Sequence, residues 1–332
     1  MKIVTPSVEL MRTGLETEMI LPEPFIEKVG RTCYKSEDKI TEDSAAKFVS
    51  NLIKRGHEAM IEHWSMIFKT DEVWYHQILS DWNELLTNIN LPNKTRKRLR
   101  AFIRFTKQAD LKGRMRYVLS GNMRAWRDYT KAYLEAHGFL PQYLYGMIRC
   151  NPIFFPEYQD WVPGAIVNNI LMPISATDLY GEDEIRVHTD VTVKFVCDRG
   201  VSHEIVRHRV ASFAQESTRY CNYGLEKFGN EITVVRPSWC GYGSDLYKRW
   251  FEGCELAESA YFALLDEGAA PQEARSVLPN STKTEIIVTM NLDGWQHFFE
   301  LRCPSNAQPD MREVANMAYC LFEKHIYNKF GI

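Results

Sequence analysis

No CxxC pair occurs in the 332-residue sequence; its eight cysteines stand apart at 33, 150, 197, 221, 240, 254, 303 and 320. That spacing excludes a zinc knuckle or a thioredoxin-like dithiol and leaves reduced, mostly buried thiols as the expectation. The nine histidines make no helical HExxH spacing, so no metal is expected, although folding could assemble His57 and His63 with Glu58 and Glu62. No apolar run approaches the length that spans a bilayer, and the opening MKIVTPSVELMRTG lacks the apolar block of a signal peptide. A cytoplasmic protein with no membrane partner is therefore expected. A net charge of −3 gives no general attraction to nucleic acid, so any anion specificity must be local. Neither an internal repeat nor a low-complexity linker is discernible.

What is present is globular. Apolar residues make up 45% and charged residues 25%, enough for one large domain or two ordinary ones. A short strand at Lys2–Val4 leads to a helix over Glu42–Lys54 and a strand over Trp64–Phe68. Residues 71–184 change character, being rich in aromatic and basic residues. Within them Trp126, Tyr129, Tyr133 and Leu134 recur at helical spacing between Asn122 and His137, and Gly138 stops the helix. The basic run Lys94–Arg104, with Phe102 and Phe105, could contact nucleic acid; the preferred reading is one face of an amphipathic helix. Valine and threonine make Val191–Val196 a strand, followed by a helix capped by Asp198 or Ser202. Ile232–Val235 and Thr284–Met290 read as strands, and Leu246–Glu267, Gln272–Val277 and Asp310–Tyr327 as helices.

The densest chemistry lies in Arg207-His208-Arg209-Val210-Ala211-Ser212-Phe213-Ala214-Gln215-Glu216-Ser217-Thr218-Arg219-Tyr220. Three arginines with serine, glutamine and histidine supply the donors that phosphates and a uracil edge require, and the planar guanidinium fork suits phosphate better than a lysine point charge. On composition alone the triplet reads as a solvated cluster that complements a helix dipole.

The exact string changes that reading. Arg207-His208-Arg209, seven residues, Ser217-Thr218 and then Arg219-Tyr220 resembles the signature of the flavin-dependent thymidylate synthases, and His203-Glu204-Ile205-Val206 before it agrees. Glu273-Ala274-Arg275-Ser276-Val277-Leu278-Pro279 is similar to that family's ARxxLP element. Asn291-Leu292-Asp293-Gly294-Trp295-Gln296-His297-Phe298-Phe299-Glu300-Leu301-Arg302 resembles its C-terminal signature, and His57-Glu58-Ala59 with Glu62-His63 resembles its HExxxEH element.

The resemblance implies an α+β fold, a mixed or antiparallel central sheet flanked by helices, formed by residues 1–70 and 185–332 and carrying 71–184 as a mostly helical insertion. It implies methylation of dUMP to dTMP, with FAD, 5,10-methylenetetrahydrofolate as carbon donor and NADPH as reductant. Residues implied at the flavin are His57, Ala59, Arg207, His208, Arg209, Gln215, Asn291, Asp293 and His297. Those implied at dUMP are Glu204, Arg207, Gln215, Glu216, Ser217, Thr218, Arg219, Arg275 and Arg302, with Arg302 stabilising charge that develops in the pyrimidine. Ser217 is read as a ligand and not a nucleophile, since no histidine–acid pair is assured beside it. The chain has no Pro-Cys dipeptide of the kind flavin-free thymidylate synthases use. A homotetramer with sites at subunit boundaries is also implied. Ala59, Ala214-Gln215, Glu204 and Asn306 depart from common family residues. The contrasting expectation is a nucleotide-binding regulatory protein without flavin chemistry.

Overall fold

The computed structural model describes residues 1–16, 21–164, 169–219, 221–225 and 229–331, so Tyr220 of the arginine-rich motif lies outside the described residues. The chain opens with β1 (Lys2–Val4), β2 (Ser7–Arg12), α1 (Pro22–Tyr34) and α2 (Ser44–Lys54). Next come β3 (Ser65–Thr70), α3 (Glu72–Thr87), α4 (Asn93–Phe102), β4 (Arg104–Ala109), β5 (Met115–Asn122), α5 (Met123–His137), α6 (Gln142–Cys150) and β6 (Met172–Ile174). The remainder comprises α7 (Gly181–His188), β7 (Asp190–Asp198), α8 (Arg199–Ile205), β8 (Ser212–Gln215), β9 (Thr233–Val235), α9 (Asp245–Asp266), α10 (Pro271–Ala274), β10 (Lys283–Asn291), α11 (Leu292–Arg302) and α12 (Pro309–Phe322). No helix among the described residues is long and apolar enough to cross a membrane.

The architecture is α+β, with antiparallel sheets flanked by helices. One four-stranded sheet runs β2-β7-β10-β8 and the other β4-β5-β3-β6, both antiparallel, and the small β1-β9 pair is parallel. Val191, Val193, Phe195 and Cys197 alternate along β7 and are fully buried with Trp295, Phe298 and Phe322 from the helices above. The second sheet packs around Trp126, Tyr129, Tyr143, Phe154 and Phe155. Of the two cap candidates for α8 the structure uses Asp198, and α5 ends at Gly138 as expected. Asp198 accepts from the Val201 amide, Asn122 from Ala125, and Gly138 ends α5 in the left-handed region at φ 77°.

The expectation of no internal repeat is overturned. Read from β6, the second sheet runs β6-β3-β5-β4, the same order as β2-β7-β10-β8, and the registers agree residue by residue. Ser65 opposes Asn122 as Asp190 opposes Asn291, and Arg104 opposes Ser120 as Ser212 opposes Thr289. Asn122 and Asn291 then cap helices whose fourth residues, Trp126 and Trp295, are both fully buried. Asp71 and Asp198 cap the helices after β3 and β7.

The two units meet about a local pseudo-twofold. His63 Nδ1 lies 2.8 Å from Thr289 Oγ1, and His188 Nδ1 lies 2.7 Å from Ser120 Oγ. Arg104 donates to the Val187 carbonyl as Ser212 donates to that of Glu62, and Ser65 hydrogen-bonds Asp190 on the axis itself. Few side chains coincide between the copies. The repeat lies in backbone register and escapes inspection of the residues.

Residues 71–184 contribute α3 to α6 together with β4, β5 and β6, but their sheet is completed by β3, which precedes them. Sheet hydrogen bonding therefore crosses the boundary expected at residue 70. The basic run forms α4 and the start of β4, where Arg98 pairs with Asp128 and Arg104 with Asp190 at 2.8 Å. Those arginines are neutralised internally.

Candidate nucleotide and flavin site

The strand β7 ends at Asp198, whose cap starts a short helix. That helix stops at Ile205, so Arg207-His208-Arg209 falls in the turn leading to β8. Across the sheet, β10 runs into α11 through the Asn291 cap, and α11 carries Asp293, His297 and Arg302. Arg302 is where the two segments join. Its Nε donates to His208 Nε2 at 3.1 Å, Nη1 to Glu204 Oε2 at 2.6 Å and Nη2 to the Glu204 carbonyl at 3.2 Å. Every nitrogen of the guanidinium is engaged, yet two of its five N–H groups remain for a ligand. The fork is thus fixed in place without being used up.

His208 accepts from Arg302, so its proton sits on Nδ1 in the neutral form. Burial lowers its pKa to about 4, helped by the charges of Arg302 and His297, and the ring is uncharged at neutral pH. It packs 4.8 Å from the Phe298 ring and 6.1 Å from His297. Glu204, His208, His297 and Arg302 therefore form one cluster.

Other expected residues assemble in smaller groups. Gln215 donates to Ser202 Oγ at 2.9 Å and Thr284 Oγ1 at 3.2 Å, tying β8 to α8 and β10. Arg275 donates to Thr218 Oγ1 at 3.2 Å, so the ARxxLP segment does reach the arginine-rich motif. The Ser217 amide is held by the Cys33 carbonyl, and its Oγ accepts from the Arg219 amide. Arg207, Arg209, Arg219 and Arg275 are all exposed. Arg207 and Arg209 make no ion pair with any described residue.

Glu216 turns elsewhere. Its carboxylate is buried and bonded to Lys283 at 3.0 Å, with Lys35 at 4.0 Å. Beside it Glu285 is held by Lys35, Lys194 and Lys283. Burial alone would raise the Glu285 pKa, but the charges of Lys283 and Lys35 and the hydrogen bonds of Lys194 and Lys283 hold it far below the carboxylate range. These two acids and three ammoniums brace β7, β10 and α1 beneath the motif. Nothing local in the sequence announces them, because each lysine comes from a different segment.

Asn291 and Asp293 lie at the opposite end of α11 from Arg302, about 16 Å and about 14 Å away at roughly 1.5 Å per residue. The Asn291 amide caps the helix and donates to the Val187 carbonyl. His57 and Ala59 are exposed in the turn after α2, and no hydrogen bond or ion pair joins them to the Arg302 cluster. Their element is anchored instead to the second unit, through Glu58 to Arg127 at 3.1 Å and Glu62 to Arg124 at 2.6 Å. His63 is buried against Thr289 and its pKa falls to about 3. Among the described residues no group of three or more His, Cys, Asp or Glu is placed to hold a metal.

Comparison with known proteins bears on the segment that carries this cluster. Residues 179–326 match the Thy1 family, described as thymidylate synthase complementing protein. The Thy1 segment begins just before α7, so it takes in His188, the whole arginine-rich motif, Arg275 and α11. The His57–His63 element lies outside it. Flavin-dependent thymidylate synthase of Pyrococcus furiosus is 39% identical over 137 residues, 41% of this chain and 55% of that protein. The enzyme of the same name from Geobacter sulfurreducens is 40% identical over 118 residues, 35% of this chain and 49% of that protein. The chain thus matches about half the length of these relatives. Among solved structures, the UMP/dUMP methylase PolB from Streptomyces cacaoi bound with 5-Br dUMP overlaps 42% of this chain and 68% of its own, at 24% identity and a TM-score of 0.36. An overlap at that score fixes neither fold nor ligand.

Proposed function

We propose that the protein is a flavin-dependent thymidylate synthase. The reaction joins dUMP, 5,10-methylenetetrahydrofolate, NADPH and a proton to give dTMP, tetrahydrofolate and NADP⁺. The observation that carries this reading is the Arg302 guanidinium, fixed by Glu204 and a neutral His208 inside the Thy1 segment with two N–H groups to spare. A guanidinium preset beside a pyrimidine stabilises negative charge as it develops on the ring, with no reorganisation when the reaction occurs. Because Glu204 holds one side of the fork, the remaining donors keep their direction.

The residues fit a flavin and a nucleotide. Arg207 and Arg209 pair with no carboxylate among the described residues and are available to phosphates, with His208, His297, Gln215, Asn291, Asp293, His57 and Ala59 as the further flavin contacts in this reading. When bound, the flavin supplies the hydride that reduces the transferred carbon. Arg219, Arg275, Ser217 and Thr218 grip the nucleotide, with Arg207, Gln215, Glu204 and Glu216 completing its surroundings. Exposure of four of these arginines on one chain accords with sites closed by a second subunit in a homotetramer.

Purified protein should be yellow, or become so with FAD, and should release tritium from C5-labelled dUMP when folate and NADPH are supplied. Arg302→Ala should abolish that release and keep the flavin. A colourless protein that gains no flavin absorbance but binds dUMP would instead be a nucleotide-binding regulator.

A further inference from the structure

A cavity lies away from the Arg302 cluster, on the pseudo-twofold seam where the two units meet. It encloses about 780 Å³ between β2, β7, β3 and β6, within the usual range for a small-molecule site. Asp190 opposes Asn291 in the ladder, so the cavity adjoins the cap end of α11.

Its key feature is Arg12. A register shift in β2 between Leu10 and Arg12 re-aims this last residue of the strand. The guanidinium stacks over Trp64 at 4.1 Å and Phe25 at 5.9 Å. It makes no hydrogen bond and no ion pair with any described residue, and Nη1 is buried without a partner. Glu16 and Asp190 influence it only across space. Arg12 is partly exposed, but its Nη1 is buried with no acceptor, and a buried donor without a partner is costly, so a ligand oxygen placed there would satisfy it.

The rest of the cavity states what that oxygen belongs to. Asp190 is already satisfied by Arg104 and Ser65, and His188 is held uncharged by burial between Ser120 and Thr106. Glu16 and the exposed rim residue Asp178 repel polyanions. In the register of the repeat, Arg12 opposite Thr192 corresponds to Ile174 opposite Ile67. One wall therefore offers donors on an aromatic platform and the other is apolar. The matched registers of the two sheets set the seam, and the Arg12–Ile174 difference makes it asymmetric.

We propose that this cavity is a second binding site, for an uncharged planar nitrogen heterocycle whose carbonyl accepts from Arg12. The pterin of a folate and the nicotinamide of a reductant both present that chemistry. The choice between them rests on the reaction proposed above, whereas the site does not.

Calorimetric titration of the full chain with lumazine and with nicotinamide, without FAD or dUMP, tests the inference. At least one probe should bind saturably with one site per chain. Arg12→Met, which keeps length and removes every donor, should weaken it tenfold or more, and Ile67→Trp, which fills the cavity from the apolar wall, should abolish it. Melting curves establish that both variants fold, and their affinity for dUMP should match the wild type. Lumazine preference assigns the site to the pterin and nicotinamide preference to the reductant. Saturable binding of neither probe, or equal binding by wild type and a folded Arg12→Met, overturns the proposal. Failure to form dTMP would overturn the proposed function and leave these titrations standing.

Discussion

Acid should unfold this protein by charging three imidazoles that the native state keeps neutral. Burial lowers His63 and His188 from 6.5 to about 3 and His208 to about 4. A base whose pKa falls on folding binds fewer protons in the native state than in the unfolded chain. Stability is therefore full above the unfolded value of 6.5 and lost as pH falls below it, the loss levelling off only beneath the native values. At pH 5 each imidazole costs about 2 kcal/mol, from about 1.4 kcal/mol per pH unit, or roughly 6 kcal/mol for the three. That is comparable to the whole stability of an ordinary domain. Urea unfolding followed by tryptophan fluorescence at about pH 8 and about pH 5 measures the difference. Substituting His188→Gln should recover roughly 2 kcal/mol of the pH-dependent part, because the amide still meets Ser120 but does not titrate. An unchanged pH dependence in that variant would refute the argument.

Glu204→Gln should lower turnover about tenfold or more while leaving dUMP affinity within a few-fold, since one N–H···O⁻ bond orienting Arg302 becomes a neutral one; single-turnover and equilibrium binding measurements separate the two. Glu285→Ala leaves Lys35 and Lys283 to share Glu216, takes the carboxylate from Lys194, and should destabilise the fold by about 3 kcal/mol or more in denaturant titration. Gly121→Ala should destabilise the second sheet, because a Cβ there would lie 2.9 Å from Trp126 Nε1 and 3.2 Å from the Phe102 carbonyl; a folded variant of wild-type melting temperature would contradict this.

The local features of this fold were legible because they rest on near-neighbour chemistry. The alternating valines of β7, the Asp198 cap and the Gly138 stop each depend on a few adjacent residues. The arginine-rich motif was likewise readable, and the structure brings Arg302 to His208 and Glu204 across separations of 94 and 98 residues. What escaped was everything defined by pairing between distant strands. The lysine–glutamate brace under the motif draws on Lys35, Lys194, Lys283 and Glu285, none of which stands in a recognisable string. The repeat was hidden because Arg302, eleven residues beyond the Asn291 cap, corresponds to Tyr133 beyond Asn122, and the polar cluster of one copy is aromatic core in the other. His57 and Ala59 matched an expected element by residue type, but their neighbours bind them to the second unit.

The reciprocal histidine contacts also constrain how the molecule comes apart. Each imidazole precedes a strand of one sheet and is locked into the other, so loosening either strand strips a buried donor from both. Neither half can keep a private melting point under such cross-bracing. A scanning calorimeter should record a single endotherm from these two sheets, where a chain of independent modules would give two.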